Sequence, residues 1–155
     1  MPEAGKFNAG QKRLFMVLLV GMLVLLARDG VQPLGSMGTD TPLAVLSNKP
    51  DVFTKRMVAH YFPANPFAAV AGHQAGTALK PDPAGALAIA RQLAIPAAEW
   101  LYLGDTNTDM QTARAAGMRA VGVLWGFRER AELVGSGAME IVAAPAEVLG
   151  LLERA

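Results

Sequence analysis

The stretch Trp100–Met110, WLYLGDTNTDM, decides the fold. Trp100 to Leu103 is a short apolar run suited to a buried strand, and Gly104 closes it. Asp105 and Asp109 follow, four residues apart, where the strand gives way to a helix predicted over Thr108 to Ala116 and stopped by Gly117. That spacing lets both carboxylates face one point beyond the strand end. Hard oxygen donors of this kind suit Mg²⁺, which takes one or two carboxylates, keeps several waters and bridges to phosphate. The same pattern also fits a turn-capping Asp105 and an Asp109 favoured by the helix dipole, and on spacing alone the two readings stand level.

The pattern repeats in both directions. Upstream, Leu43 to Leu46 and Phe67 to Ala71 read as strands, with helices over Asp51 to Phe62, Asp51 serving as N-cap, and over Pro83 to Leu93, Pro83 at its start. Downstream, Ala120 to Leu124 is a strand ending at Trp125 and Gly126, followed by a helix from Arg128 to Val134, a strand near Glu140 to Val142 and a helix from Ala146 to Glu153. Such alternation implies right-handed crossovers and an α/β fold, a three-layer Rossmann-like parallel sheet with helices on both faces. Ligands then bind at the carboxyl ends of the strands.

Two more polar clusters fall at such ends. Ser47, Asn48 and Lys49 follow LAVL, offering a hydroxyl and backbone N–H groups to an anion, or else forming an ordinary turn with Lys49 in solvent. Lys80 precedes Pro81, Asp82 and Pro83; a lysine on a proline-stiffened turn can neutralise a phosphoryl group, although an isolated surface lysine reads the same way. His60 and His73 have no partner at metal-ligand spacing. His73 and Gln74 follow the FAAVAG strand near the expected site edge, where a minor substrate contact is conceivable. Trp125 and Phe127 read as packing residues.

Taken in order, the hydroxyl in LSNKP, the lysine in KPDP and the paired carboxylates in GDTNTDM resemble the second, third and fourth motifs of the haloacid dehalogenase-like hydrolase superfamily. The likeness covers Leu43 to Ala155, and LAVLSNKP, LKPDP and AAGMRAVGVLWGFRER look like phosphoglycolate phosphatases. It implies a Mg²⁺-dependent phosphatase acting on a small phosphorylated metabolite, with 2-phosphoglycolate the first candidate. It assigns phosphoryl binding to Ser47, Asn48 and Lys80, with Ser47 and Lys80 in the catalytic set. Asp105 would hold Mg²⁺, and Asp109 would hold it through water or orient Asp105.

The superfamily's first motif, DxDGT at the end of the first strand, supplies an attacking carboxylate and is absent here. The nearest string, ARDGV at Ala27 to Val31, places Ala27 at the nucleophile position and reads as chance. The sequence therefore divides into an atypical segment, 1–42, and a hydrolase-like core, 43–155. The core is expected to be incomplete at its N-terminal side, with no room for a cap domain and with doubtful activity. The alternative is a non-catalytic phosphate- or Mg²⁺-binding module, or a subunit that pairs with itself or a complete homologue through an exposed sheet edge.

Within 1–42 stands LFMVLLVGMLVLLA, Leu14 to Ala27, without a polar side chain. It is short for a membrane span and reads as a buried strand or core helix, an export or membrane-inserting segment, or an out-of-context N-terminus. As a strand it could fill the gap left by the missing first strand. VQPLGSMGTDTP, to Pro42, reads as linker.

Composition narrows the rest. The 155 residues carry a net charge of +1, no cysteine, and 52% hydrophobic against 17% charged side chains. This excludes disulfides and thiolate chemistry and gives no electrostatic footprint for nucleic acid. A cytoplasmic location is expected. No GxGxxG follows an early strand, which disfavours a nicotinamide site.

Overall fold

A computed structural model of the chain describes Arg13–Met16 and residues 42–153. Its elements are β1 (Arg13–Met16), β2 (Leu43–Pro50), α1 (Asp51–Tyr61), β3 (Phe67–His73), α2 (Ala84–Gln92), β4 (Trp100–Gly104), α3 (Asn107–Ala115), β5 (Arg119–Val123), α4 (Arg130–Gly135), β6 (Glu140–Val142) and α5 (Pro145–Glu153). The six described strands pair in parallel in the order β3-β2-β1-β4-β5-β6. The order reverses direction at β1, a topological switch point, and in open α/β sheets the crevice outside the carboxyl ends of the strands at such a point receives the ligand.

β1 lies in the middle of the sheet. Leu14 pairs with Leu43 on one side and Leu101 on the other, and Met16 pairs with Val45 and Leu103. The start of the apolar run is thus a strand, in the place where a missing first strand was expected to leave an open edge. Residues 17–41, which include the rest of that run, ARDGV and nearly all of the linker, lie outside the described residues. No described helix is long and apolar enough to cross a membrane.

Strand alternation divides the core between the two faces. Leu43, Val45, Leu101, Leu103, Val121 and Val123 pack with Val58, Phe62, Val148 and Leu151 from α1, its C-cap and α5. Ala44, Leu46, Trp100, Tyr102 and Ala120 pack with Ile89, Met110, Ala113 and Leu133 from α2, α3 and α4. Trp100, Tyr102, Leu101 and Leu133 have no measurable exposure, and burying a leucine side chain contributes about 1.5–3 kcal/mol.

Several boundaries differ from the sequence reading for local reasons. β2 runs on through Ser47 to Pro50, and α1 starts at the next residue, so there is no turn in which Asp51 could cap. Pro50 is the N-cap residue, and Asp51 in the first turn instead accepts hydrogen bonds from the Gly72 N–H (2.9 Å) and Lys55 Nζ (2.7 Å). α4 begins at Arg130, two residues later than expected, after a loop carrying Phe127 and Arg128. Gly117 does end α3: its φ of 69° is the left-handed conformation, and its N–H reaches the Arg114 carbonyl while that of Met118 reaches Ala113.

Candidate active site

Asp105 leaves the end of β4 buried, with 1% exposure. Its Oδ2 accepts from the Phe127 N–H at 3.0 Å, and its Oδ1 is buried with no hydrogen-bond partner among the described residues. Burial pushes the Asp105 carboxyl above its usual range, and the neighbouring Asp109 adds to this, against the Phe127 N–H and Lys80, which oppose it. A buried carboxylate oxygen without a donor is costly unless something positive supplies the missing interaction. Gly126 makes room for it, because a Cβ there would lie 2.2 Å from the Asp105 Cβ and 2.3 Å from Oδ2.

Asp109 is placed by α3. Thr106 caps that helix: its Oγ1 accepts from the Asp109 N–H (3.3 Å), while the Thr106 N–H (3.2 Å) and hydroxyl (2.8 Å) donate to Asp109 Oδ2. Asp109 Oδ1 accepts from Lys80 Nζ at 2.7 Å, an ion pair whose side chains are 6% and 0% exposed. Both oxygens of Asp109 are therefore engaged from within the protein.

Ser47 is buried, and its Oγ accepts from the Lys49 N–H at 3.1 Å, a role that does not use the hydroxyl proton. Asn48 is exposed, and its amide makes two bonds to the main chain of Lys80: the Lys80 N–H donates to Oδ1 (2.8 Å), and Nδ2 donates to the Lys80 carbonyl (3.1 Å). Lys80 itself is 9% exposed, so it is not the isolated surface lysine that its sequence context allows. A groove of about 460 Å³ opens beside Ser47, Asn48 and Lys80, with Leu46, Ile89, His73, Gln74 and Arg91 along its walls.

Ser47, Lys80 and Asp105 come from the carboxyl ends of β2 and β4 and from the loop between β3 and α2, and Asp109 from the first turn of α3. Sequence reasoning missed the support given to Asp105 by Gly126 and Phe127. Phe127 is not a packing residue: its side chain is 67% exposed, and its contribution is a backbone N–H. Trp125 does pack against the core. His60 is exposed and stacks edge-on to Tyr61.

The donor set fits a hard divalent cation. Asp105 Oδ1, without a hydrogen-bond partner among the described residues, offers a carboxylate oxygen at the switch point, and the remaining positions would be filled by water and an anion, since no cluster of three or more His, Cys, Asp or Glu occurs among the described residues.

A family model described as haloacid dehalogenase-like hydrolase matches residues 32–123. The chain is similar to a phosphoglycolate phosphatase of Pectobacterium atrosepticum, 32% identical over 105 residues, which are 68% of this chain and 44% of that protein. It is also similar to one of Pseudomonas savastanoi pv. phaseolicola, 29% identical over 117 residues, 76% of this chain and 40% of that protein. The chain thus spans less than half the length of these relatives. Among solved structures it resembles a predicted phosphatase from Clostridium acetobutylicum (TM-score 0.73, 27% identity, 83% of this chain and 60% of that one). A Lactobacillus delbrueckii subsp. bulgaricus protein is similar over 84% of this chain and 50% of its own length (TM-score 0.68, 30% identity).

Proposed function

The chain belongs to the haloacid dehalogenase-like hydrolase family, and on that premise we propose that its site takes Mg²⁺ and the phosphoryl group of a small phosphomonoester, 2-phosphoglycolate being the first candidate. The observation that carries this reading is the buried Oδ1 of Asp105, without a partner among the described residues, beside the buried Lys80–Asp109 pair at the switch point of the sheet.

Each residue's part follows from its surroundings. Asp105 holds the cation through Oδ1, oriented by the Phe127 N–H on Oδ2. Asp109, with both oxygens engaged, keeps the Lys80 ammonium at the carboxyl face of the sheet, where it offsets phosphoryl charge. Ser47 donates its hydroxyl proton to a phosphoryl oxygen, and the start of α1 adds the favourable end of a helix dipole. Bound Mg²⁺ would supply Lewis-acid polarisation of the phosphoryl oxygens.

Turnover also needs an attacking group. By the resemblance that group stands at the end of the first strand, which by position in the sheet is β1, yet the sequence has no Asp or Glu between Arg13 and Arg28. The reading is therefore of a site that binds phosphate and Mg²⁺ with little or no hydrolysis by this chain, in a cytoplasmic setting. The test is hydrolysis of 2-phosphoglycolate with Mg²⁺ by the full chain, read alongside binding. Saturable binding with no release of phosphate above background is expected. A robust Mg²⁺-dependent rate that disappears in Asp105→Ala would overturn the binding-only reading and establish a phosphatase.

A further inference from the structure

We propose that Asn48 is a positioning residue that sets Lys80 through its main chain, and is not itself a ligand for the phosphorylated molecule. The loop between His73 and Ala84 must deliver a buried ammonium to Asp109, on a helix 29 residues further along the chain. Inside that loop the main chain is held by short-range turns, such as Thr77 N–H to Gln74 carbonyl and Asp82 N–H to Leu79 carbonyl. These bonds shape the loop without fixing it to the sheet.

Asn48 provides that attachment. Its amide satisfies the N–H and the carbonyl of the same residue, as an adjacent strand would, at 2.8 and 3.1 Å. It stands directly after Ser47, so one short segment at the end of β2 places the phosphate-facing hydroxyl and fixes the height of the lysine. The two bonds also use one lone pair of Oδ1 and one proton of Nδ2, which turns the amide toward the loop. Because Asn48 is exposed, shortening its side chain opens no cavity in the core, so the effect of losing the two bonds can be separated from a general loss of packing.

The consequence for phosphate rests on the reading of Lys80 given above; the placement of Lys80 does not. The experiment measures both on the full chain. Lys80 modification by an amine-reactive reagent is followed by mass spectrometry, with exposed Lys55 as internal reference, beside inorganic phosphate binding with Mg²⁺ by calorimetry and amide exchange in β4 and β5. In Asn48→Ala, Lys80 should react about fivefold faster, the equivalent of losing two solvent-accessible hydrogen bonds of modest strength, and phosphate affinity should fall by a similar factor, with Lys55 reactivity and β4–β5 exchange unchanged. Asn48→Asp, which keeps the acceptor for the Lys80 N–H, should recover part of the Lys80 protection, and it decides the matter if the alanine variant does not fold.

Unchanged Lys80 reactivity in the folded variant, or a rise accompanied by faster exchange in β4 and β5, overturns the proposal. Faster Lys80 reaction with unchanged phosphate affinity upholds the positioning role and overturns the reading of Lys80 as the phosphate-facing cation.

Discussion

Lys80 Nζ donates to Asp109 Oδ1 at 2.7 Å with both side chains buried, and Asp109 spends its other oxygen on Thr106. The pair joins the β3–α2 loop to the first turn of α3 across the carboxyl face of the sheet. It gives an otherwise flexible lysine one position.

Breaking this pair from one side is expected to be expensive. Lys80→Met leaves a buried carboxylate without its cation and should lower the unfolding free energy by about 3 kcal/mol, measured by urea denaturation. Adding Asp109→Asn, which removes the stranded charge and can still accept from Thr106, should return most of that loss. Phosphate binding should stay lost in the double variant.

Asp105 is expected to favour binding at the expense of stability. Its carboxyl is held above the usual range by burial, so ionising it weakens the folded state: stability falls as pH rises through the elevated folded value. Asp105→Asn should therefore melt higher than the parent in metal-free buffer at pH 7, by about 2–4 °C for each 1 kcal/mol of relief at this length. The advantage should shrink as pH is lowered toward the point where the parent Asp105 is protonated.

Asp51 carries the opposite sign. Its bonds to Lys55 and to the Gly72 N–H hold its carboxyl below the ordinary 3.8, so its contribution is present above that value and is lost as pH falls through the lowered folded value. Lys55 is half exposed and adds little; the Gly72 bond ties α1 to β3. Asp51→Ala should cost about 1 kcal/mol at pH 7, a cost that shrinks as pH falls through the lowered folded value.

Gly126→Ala tests the support of Asp105 while leaving the aspartate itself in place. The added methyl would meet the Asp105 side chain at 2.2–2.5 Å, so the carboxylate must move. Mg²⁺ affinity by calorimetry should fall roughly tenfold, as expected when the support behind a metal ligand is disturbed.

The sheet was legible because its strands from β2 to β6 are short apolar runs between Gly, Pro and polar turn residues. Ser47 and Asp105 were legible because each follows such a run, and Lys80 and Asp109 because each stands just before or just inside the start of a predicted helix. For β1 a strand filling the first-strand gap was one of several readings, and its bounds were hidden, since an unbroken apolar segment such as Leu14 to Ala27 carries no period that could mark where a strand stops. The extension of β2 to Pro50 was hidden because polar residues at its end serve the site, not the core. The partnerships of Asn48 with Lys80 and of Asp105 with Phe127 span 32 and 22 residues, and no local pattern announces contacts that only the tertiary fold creates.

The most direct test of the site is a calorimetric titration of the full chain with Mg²⁺ in the presence of inorganic phosphate, repeated with Asp105→Asn. The account predicts saturable binding at one site in the parent and none in the variant. Absence of saturable heat in the folded parent, or equal binding in both proteins, would contradict it.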